Sequence, residues 1–308
     1  MRPAWSVIFF TVSSGAGLGL LAILALMRLL AVHVVPDGTA LPLLALGLAL
    51  TTAGFCSSTF HLANPKNAWR SAARFRTSWL SREAVLAVAL YPVALLYGWT
   101  IWSGSGGMLQ SLVGPLLAAL AVVVMYSTGM IYACLKTIPR WNHGLVPAGY
   151  VALGLYSGTL AALPVIAAKS GGPVPVALAL ALLAAALAVK GAYYVTFGSP
   201  KAVHTLADAL PLGKKEIRLL DTGHTHRTFL TDEFFFQIAR RRARFLRLAV
   251  VVLAFVLPLA LLAGGASGPG ALAVVAGSAF IGLLAERWLF FAEAEHTVRL
   301  YHGQRAVG

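Results

Sequence analysis

Residues 5–35 read WSVIFFTVSSGAGLGLLAILALMRLLAVHVV, with Arg28 as the single charged side chain. A helix of about 20 apolar residues crosses the hydrocarbon core of a bilayer, so this run is long enough to span. It is too long for the core of a signal peptide. No small-residue cleavage site leads from it into a polar mature domain, so it is expected to stay as a helix. The rest of the chain agrees. Of 308 residues 59% are hydrophobic and only 11% are charged, too few polar side chains to cover a soluble domain.

Working outward, further membrane-length runs fall at about 40–60, 83–102, 109–135, 145–168, 174–197, 245–264 and 271–292. Turn signals separate them, among them VPDGT, ANP, SGSGG, IPRWNHG, KSGGP, FGSP and GGASGPG. The fold class expected is an all-α integral membrane protein of eight transmembrane helices, a number that can be arranged as two four-helix bundles. Residues 1–308 form a single polytopic domain. The one long connection, 198–244, is a basic extramembrane loop of nearly fifty residues. Its second half, from about Thr231, reads as an amphipathic helix with Phe234, Phe235 and Ile238 on the apolar side.

The formal charge of +14 does not point to nucleic acid, because it sits in short segments between apolar runs rather than on a polar domain. With eight crossings both termini share one face, here called face A. Every lysine and arginine except Arg28 and Lys169 lies on or near that face. The positive-inside rule makes face A cytoplasmic. A basic face also suits docking of an acidic partner, for which Arg70, Arg74, Arg76, Arg240, Arg241 and Arg242 are the candidates.

Ionisable groups at membrane depth are costly and mark function by default. Those found here, Glu83, Lys190, Glu286 and Arg287, all lie toward face A. Transporters place their sites near the midplane, so this distribution argues against a transporter or channel. A b-type haem needs axial histidines at matching depth on neighbouring helices. None of the histidines falls within a helix interior, so no haem is expected. Cys56 and Cys134 form no Cys-x-x-Cys pair and read as small buried hydrophobes; no metal site is expected.

His61 closes the second run and Glu83 opens the third, at the same depth and on sequential helices. Two readings stand side by side. In one, Glu83 follows the helix-capping Ser81 and complements the helix dipole, while His61 is an interfacial polar residue. In the other, the pair handles protons of a quinol, a lipid-soluble carrier with two hydroxyl groups. A neutral imidazole takes a hydroxyl proton and a nearby carboxylate stabilises the imidazolium. The electrons then need a metal centre in another subunit.

Five stretches carry a resemblance: FTVSSGAGLGL (10–20), HLANPKNAWRSAARFRTSWLSRE (61–83), MIYACLKTIPRW (130–141), HTHRTFLTDEFFFQIARRRARFLR (224–247) and AERWLFFAEAEH (285–296). In this order the chain resembles the membrane anchor subunits of dimethyl sulfoxide reductases, within the wider polysulfide reductase-like group. The resemblance implies a haem-free subunit of the bacterial inner membrane that serves anaerobic respiration. Such a subunit oxidises menaquinol or ubiquinol and passes the electrons to an iron–sulfur subunit and a molybdopterin catalytic subunit. The iron–sulfur clusters and the molybdopterin belong to those partners alone. The histidine of the His-Leu-x-x-Pro element and the acid of Ser-x-Glu serve the quinol site in that family; here they are His61 and Glu83. Arg287 is a further candidate for quinol binding, with partnership to Glu286 or Glu83 as its other reading. A passive anchor without a quinone site is the alternative.

Overall fold

The computed structural model describes residues 3–30, 35–60, 62, 64–104, 107–169, 174–197, 204–206, 217, 238–302 and 306–307, with the backbone alone at 238–243 and 306–307. Among the described residues, eight helices are long and apolar enough to cross a membrane. They are α1 (Trp5–Leu30), α2 (Asp37–Thr59), α3 (Trp79–Trp102), α4 (Met108–Ala133), α5 (Leu145–Lys169), α6 (Val176–Phe197), α7 and α8 (Pro269–Ala292). Helix α7 runs from Ile238–Val251 through a π-helical turn, Val252–Val256, into Leu257–Ala263. A two-residue antiparallel pairing joins His204–Thr205 to Ala306–Val307.

Helix α1 is the hub, packing against α2, α4, α5 and α8. Its glycines explain how. A Cβ on Gly19 would lie 1.9 Å from the carbonyl oxygen of Gly154 in α5, and one on Gly17 would lie 2.5 Å from the backbone nitrogen of Thr51 in α2. Lipid tails are as apolar as leucine, so membrane helices associate through such close backbone approach. Gly19→Val is expected to abolish accumulation of folded protein in the membrane, read by yield and by monodispersity in detergent. Wild-type yield would contradict this packing.

Two apolar cores meet along α1 and α5. One gathers Leu21, Leu43, Leu90 and Leu117 from α1–α4. The other gathers Leu163, Leu183, Ala254 and Leu272 from α5–α8. At face A an aromatic cluster of Tyr132, Trp141, Tyr150, Phe290 and Phe291 closes the joint, tied by the Trp141 indole donating to the Phe290 carbonyl at 3.1 Å.

The π turn in α7 has a local cause. Pro258 has no N–H, so the Ala254 carbonyl four residues earlier loses its helical donor. An unpaired carbonyl inside a bilayer is costly. The Tyr156 hydroxyl on α5 donates to it at 2.6 Å, and Ser278 on α8 donates to the adjacent Leu253 carbonyl at 3.2 Å. Tyr156→Phe is expected to cost about 1–3 kcal/mol, read as a lower thermal unfolding midpoint in detergent.

Three expectations change. Helix α3 starts at Trp79, a turn ahead of Glu83, because Ser78 caps it by accepting from the Ser81 N–H; Glu83 lies within the helix and Ser81 is not its cap. Cys56 and Cys134 are exposed rather than buried, both on the surface that faces lipid or water. Helix α1 is described to Leu30, and Val35 stands outside it with its carbonyl accepting from Arg28 at 2.6 Å. Of the long connection, residues 198–203, 207–216 and 218–237 lie outside the described residues, including Thr231, Phe234 and Phe235; from Ile238 the chain is already α7.

Candidate functional site

The loop before α3 folds back onto the helix start. A 3₁₀ segment, Pro65–Arg74, leads in. The Ser81 hydroxyl donates to the Ser71 carbonyl and accepts from the Arg74 N–H. Arg82 donates to the Phe75 and Arg76 carbonyls at 3.1 and 2.8 Å and lies 4.2 Å from the Trp79 ring centroid. Arg82 is thus a staple of the loop. Arg70, Arg74 and Arg76 are exposed and leave their guanidinium groups on the face A surface, as docking would require.

These contacts set Glu83 one turn inside the helix, 4% exposed. The Thr128 hydroxyl of α4 bonds to its carboxyl group and also lies 3.0 Å from the Val124 carbonyl. A threonine hydroxyl has one hydrogen and two lone pairs. With Glu83 ionised, that hydrogen goes to the carboxylate. With Glu83 protonated, the acid donates to the hydroxyl, which turns its hydrogen to Val124. Rotation of one O–H accommodates both states, so the site can take up and release a proton without moving a heavy atom. No lysine or arginine among the described residues forms an ion pair with Glu83.

From Glu83 a polar row crosses the protein at the level of face A. Tyr132, one turn beyond Thr128 on α4, stacks on Tyr150 of α5 with centroids 5.7 Å apart. The Arg287 guanidinium sits 4.3 Å from the Tyr150 ring centroid. Its Nε donates to Glu286 at 2.5 Å, and Lys190 of α6 pairs with the other Glu286 oxygen. All three charges are at most 5% exposed. Nearer the surface, Glu293 holds Arg247 at 2.8 Å and Arg140 at 3.4 Å. Beyond the end of α8, burial holds the His296 imidazole below the ordinary histidine range, and its Nδ1 accepts from the Val298 N–H at 3.0 Å.

Of the residues singled out from sequence, Glu83 is seated in a buried polar pocket. Arg287 is committed to Glu286 and Tyr150. His61 lies outside the described residues, two positions beyond the end of α2. The side chains of Arg240, Arg241 and Arg242 are likewise outside them. Thr128 and the Tyr132–Tyr150 pair were not foreseen from sequence. The one signal available for Thr128 was a hydroxyl at the face A end of an apolar helix.

Eight membrane-length helices, a buried carboxyl group at shallow depth and a basic face define a polytopic membrane protein whose buried charges in the spans lie toward one side. The chain belongs to the DMSO reductase anchor subunit family (DmsC), which it matches over residues 1–292. It is 34% identical over 324 aligned positions to a sulfite dehydrogenase subunit of Allochromatium vinosum, covering 98% of this chain and 99% of that protein. The chain is therefore a membrane anchor subunit of an oxidoreductase complex.

Proposed function

We propose that this subunit exchanges electrons and protons with a membrane quinol at face A, as the quinol-oxidising anchor of a molybdopterin oxidoreductase of the dimethyl sulfoxide reductase kind. The observation that carries the reading is Glu83, a buried carboxyl group whose hydrogen-bond partner, Thr128, suits either protonation state. Oxidation of one quinol gives one quinone, two electrons and two protons. His61 and Glu83 receive the hydroxyl protons, and the electrons pass to an iron–sulfur cluster of a partner subunit docked on the exposed arginines of the loop before α3. From there they reach the molybdopterin subunit. The quinol is menaquinol or ubiquinol. Face A is the cytoplasmic side of the inner membrane by its charge, which a reporter fused to the C-terminus tests.

The direction of flow has a second reading. The relative from Allochromatium vinosum is named a sulfite dehydrogenase subunit, and an oxidising complex sends electrons into quinone through the same site. The reaction is then reversed, with Glu83 supplying rather than receiving a proton.

Purification of the tagged chain from its native membrane tests the assignment. Iron–sulfur and molybdopterin subunits are expected to accompany it, and a quinone-analogue inhibitor is expected to perturb the magnetic resonance spectrum of a cluster. Recovery of the chain alone, in a stable and monodisperse form, overturns the anchor-complex reading. An unperturbed cluster spectrum favours a passive anchor.

A further inference from the structure

A second polar site lies at the opposite face, called face B, where the ends of α1 to α4 come together. A cavity of about 430 Å³ opens there, floored by Tyr97 and walled by Arg28, Gln110, Leu29, Val35 and Gly114. Tyr97 stands 14 residues after Glu83 on α3, about 21 Å further along the helix. The two sites are therefore separated by most of the hydrocarbon thickness.

Two donors in this cavity have no acceptor among the described residues. Arg28 uses Nη1 on the Val35 carbonyl at 2.6 Å and Nη2 on Asp37 at 2.7 Å. Its Nε and the Nε2 of Gln110 are buried without a hydrogen-bond partner. Tyr97, 1% exposed, has its hydroxyl within reach of both side chains. A buried N–H left unpaired costs its full desolvation. Two such groups converging on one cavity mark a site suited to an acceptor that none of the described residues supplies.

Charge narrows the choice. Asp37 neutralises Arg28, and among the described residues no other ionised side chain lines the cavity. An anionic phosphate would meet the Asp37 carboxylate and gain little. A neutral oxygen acceptor meets the two free N–H groups without that penalty. The cavity is of a size typical for ligand sites, and its lining mixes polar groups with apolar side chains. It opens at the helix ends, where the polar end of a membrane amphiphile resides.

We propose that this cavity binds the carbonyl-bearing head of a neutral membrane amphiphile, with Gln110 and Arg28 donating to its carbonyl oxygens. Two membrane components offer this chemistry: the ring carbonyls of a quinone and the ester carbonyls of a diacyl lipid. The site is independent of the one at Glu83.

The test uses the purified complex in nanodiscs with a short-chain azidoquinone as photolabel. Labelled peptides are mapped, and co-purifying quinone and lipid are quantified. Gln110→Leu removes a donor at similar size, and Ser111→Trp, at an exposed position, blocks the mouth. Both are expected to reduce labelling of the peptide spanning 97–114 at least fivefold, with turnover at face A unchanged within twofold. If ester lipid is the occupant, labelling of that peptide rises when the nanodisc lipids are ether-linked, and Gln110→Leu lowers retained ester lipid instead. Both outcomes support the site and name its source. Labelling and retained lipid that are the same in wild type and both variants overturn it. Because turnover depends on Glu83 and labelling here on Gln110, loss of one proposal leaves the other standing.

Discussion

Glu83→Gln is expected to lower quinol-dependent electron transfer by about 100-fold or more, the usual worth of a positioned proton acceptor. The amide is the same size and still bonds to the Thr128 hydroxyl, so the packing around residue 83 is kept. What it loses is the ability to take a proton. The measurement is turnover of the purified complex with a quinol analogue, beside turnover of the partner subunits with a soluble one-electron dye that bypasses the membrane. Quinol-driven turnover should collapse, while dye-driven turnover and the amounts of the partner subunits stay at wild-type level. His61→Ala is expected to behave in the same way. If Glu83→Gln retains quinol-driven turnover within threefold, the carboxyl group is not the proton acceptor and the site assignment fails.

Glu286→Ala should be among the most damaging single changes to stability. Glu286 is the shared counter-charge of Lys190 and Arg287, and all three are buried. Removing it leaves two cations in a low-dielectric interior, a loss of about 3–5 kcal/mol for a broken buried ion pair. The readout is membrane yield and thermal unfolding in detergent. The combination Lys190→Met, Glu286→Leu and Arg287→Met should recover most of the loss, because apolar replacement of a whole buried ionic group is often neutral. Recovery would assign the group to structure. Recovered stability with failed quinol turnover would show that the ionic group also acts on the quinol. A Glu286→Ala protein that unfolds at the wild-type temperature would contradict the buried triad.

The eight spans were legible because twenty apolar residues in a row have few other uses, and the turn signals between them are strong. The start of α3 was not. Its first turn, WLSR, carries polar residues that read as loop, and the serine that caps it is chosen by the backbone rather than by hydropathy. The burial of Cys56 and Cys134 was misjudged for a related reason. A helix in lipid is apolar on every side, so its sequence does not say which face meets protein. Glu83 itself stood out, since a carboxylate at the edge of a span is rare. Its partner Thr128 did not, because it stands 45 positions further along the chain and hydroxyls are common in membrane helices. The Lys190–Glu286 pair was hidden in the same way: both residues were conspicuous, and only the packing of α6 and α8 against the shared helix α5 brings them together.

The seat of α1 carries a consequence for how the protein is made. Gly19 of α1 rests against Gly154 and Gly158 of α5, yet α1 leaves the ribosome long before α5 exists. The helix must therefore wait in lipid or in the insertion machinery with its final neighbours still untranslated. Two of its hydroxyls suit that wait: Thr11 and Ser14 bond to carbonyls of their own helix, at 3.0 and 2.6 Å, so neither needs a partner from elsewhere, whereas Ser13 donates to the Leu50 carbonyl of α2 at 2.8 Å. The later helices then gather around α1, and the earliest span becomes the post on which the others are hung.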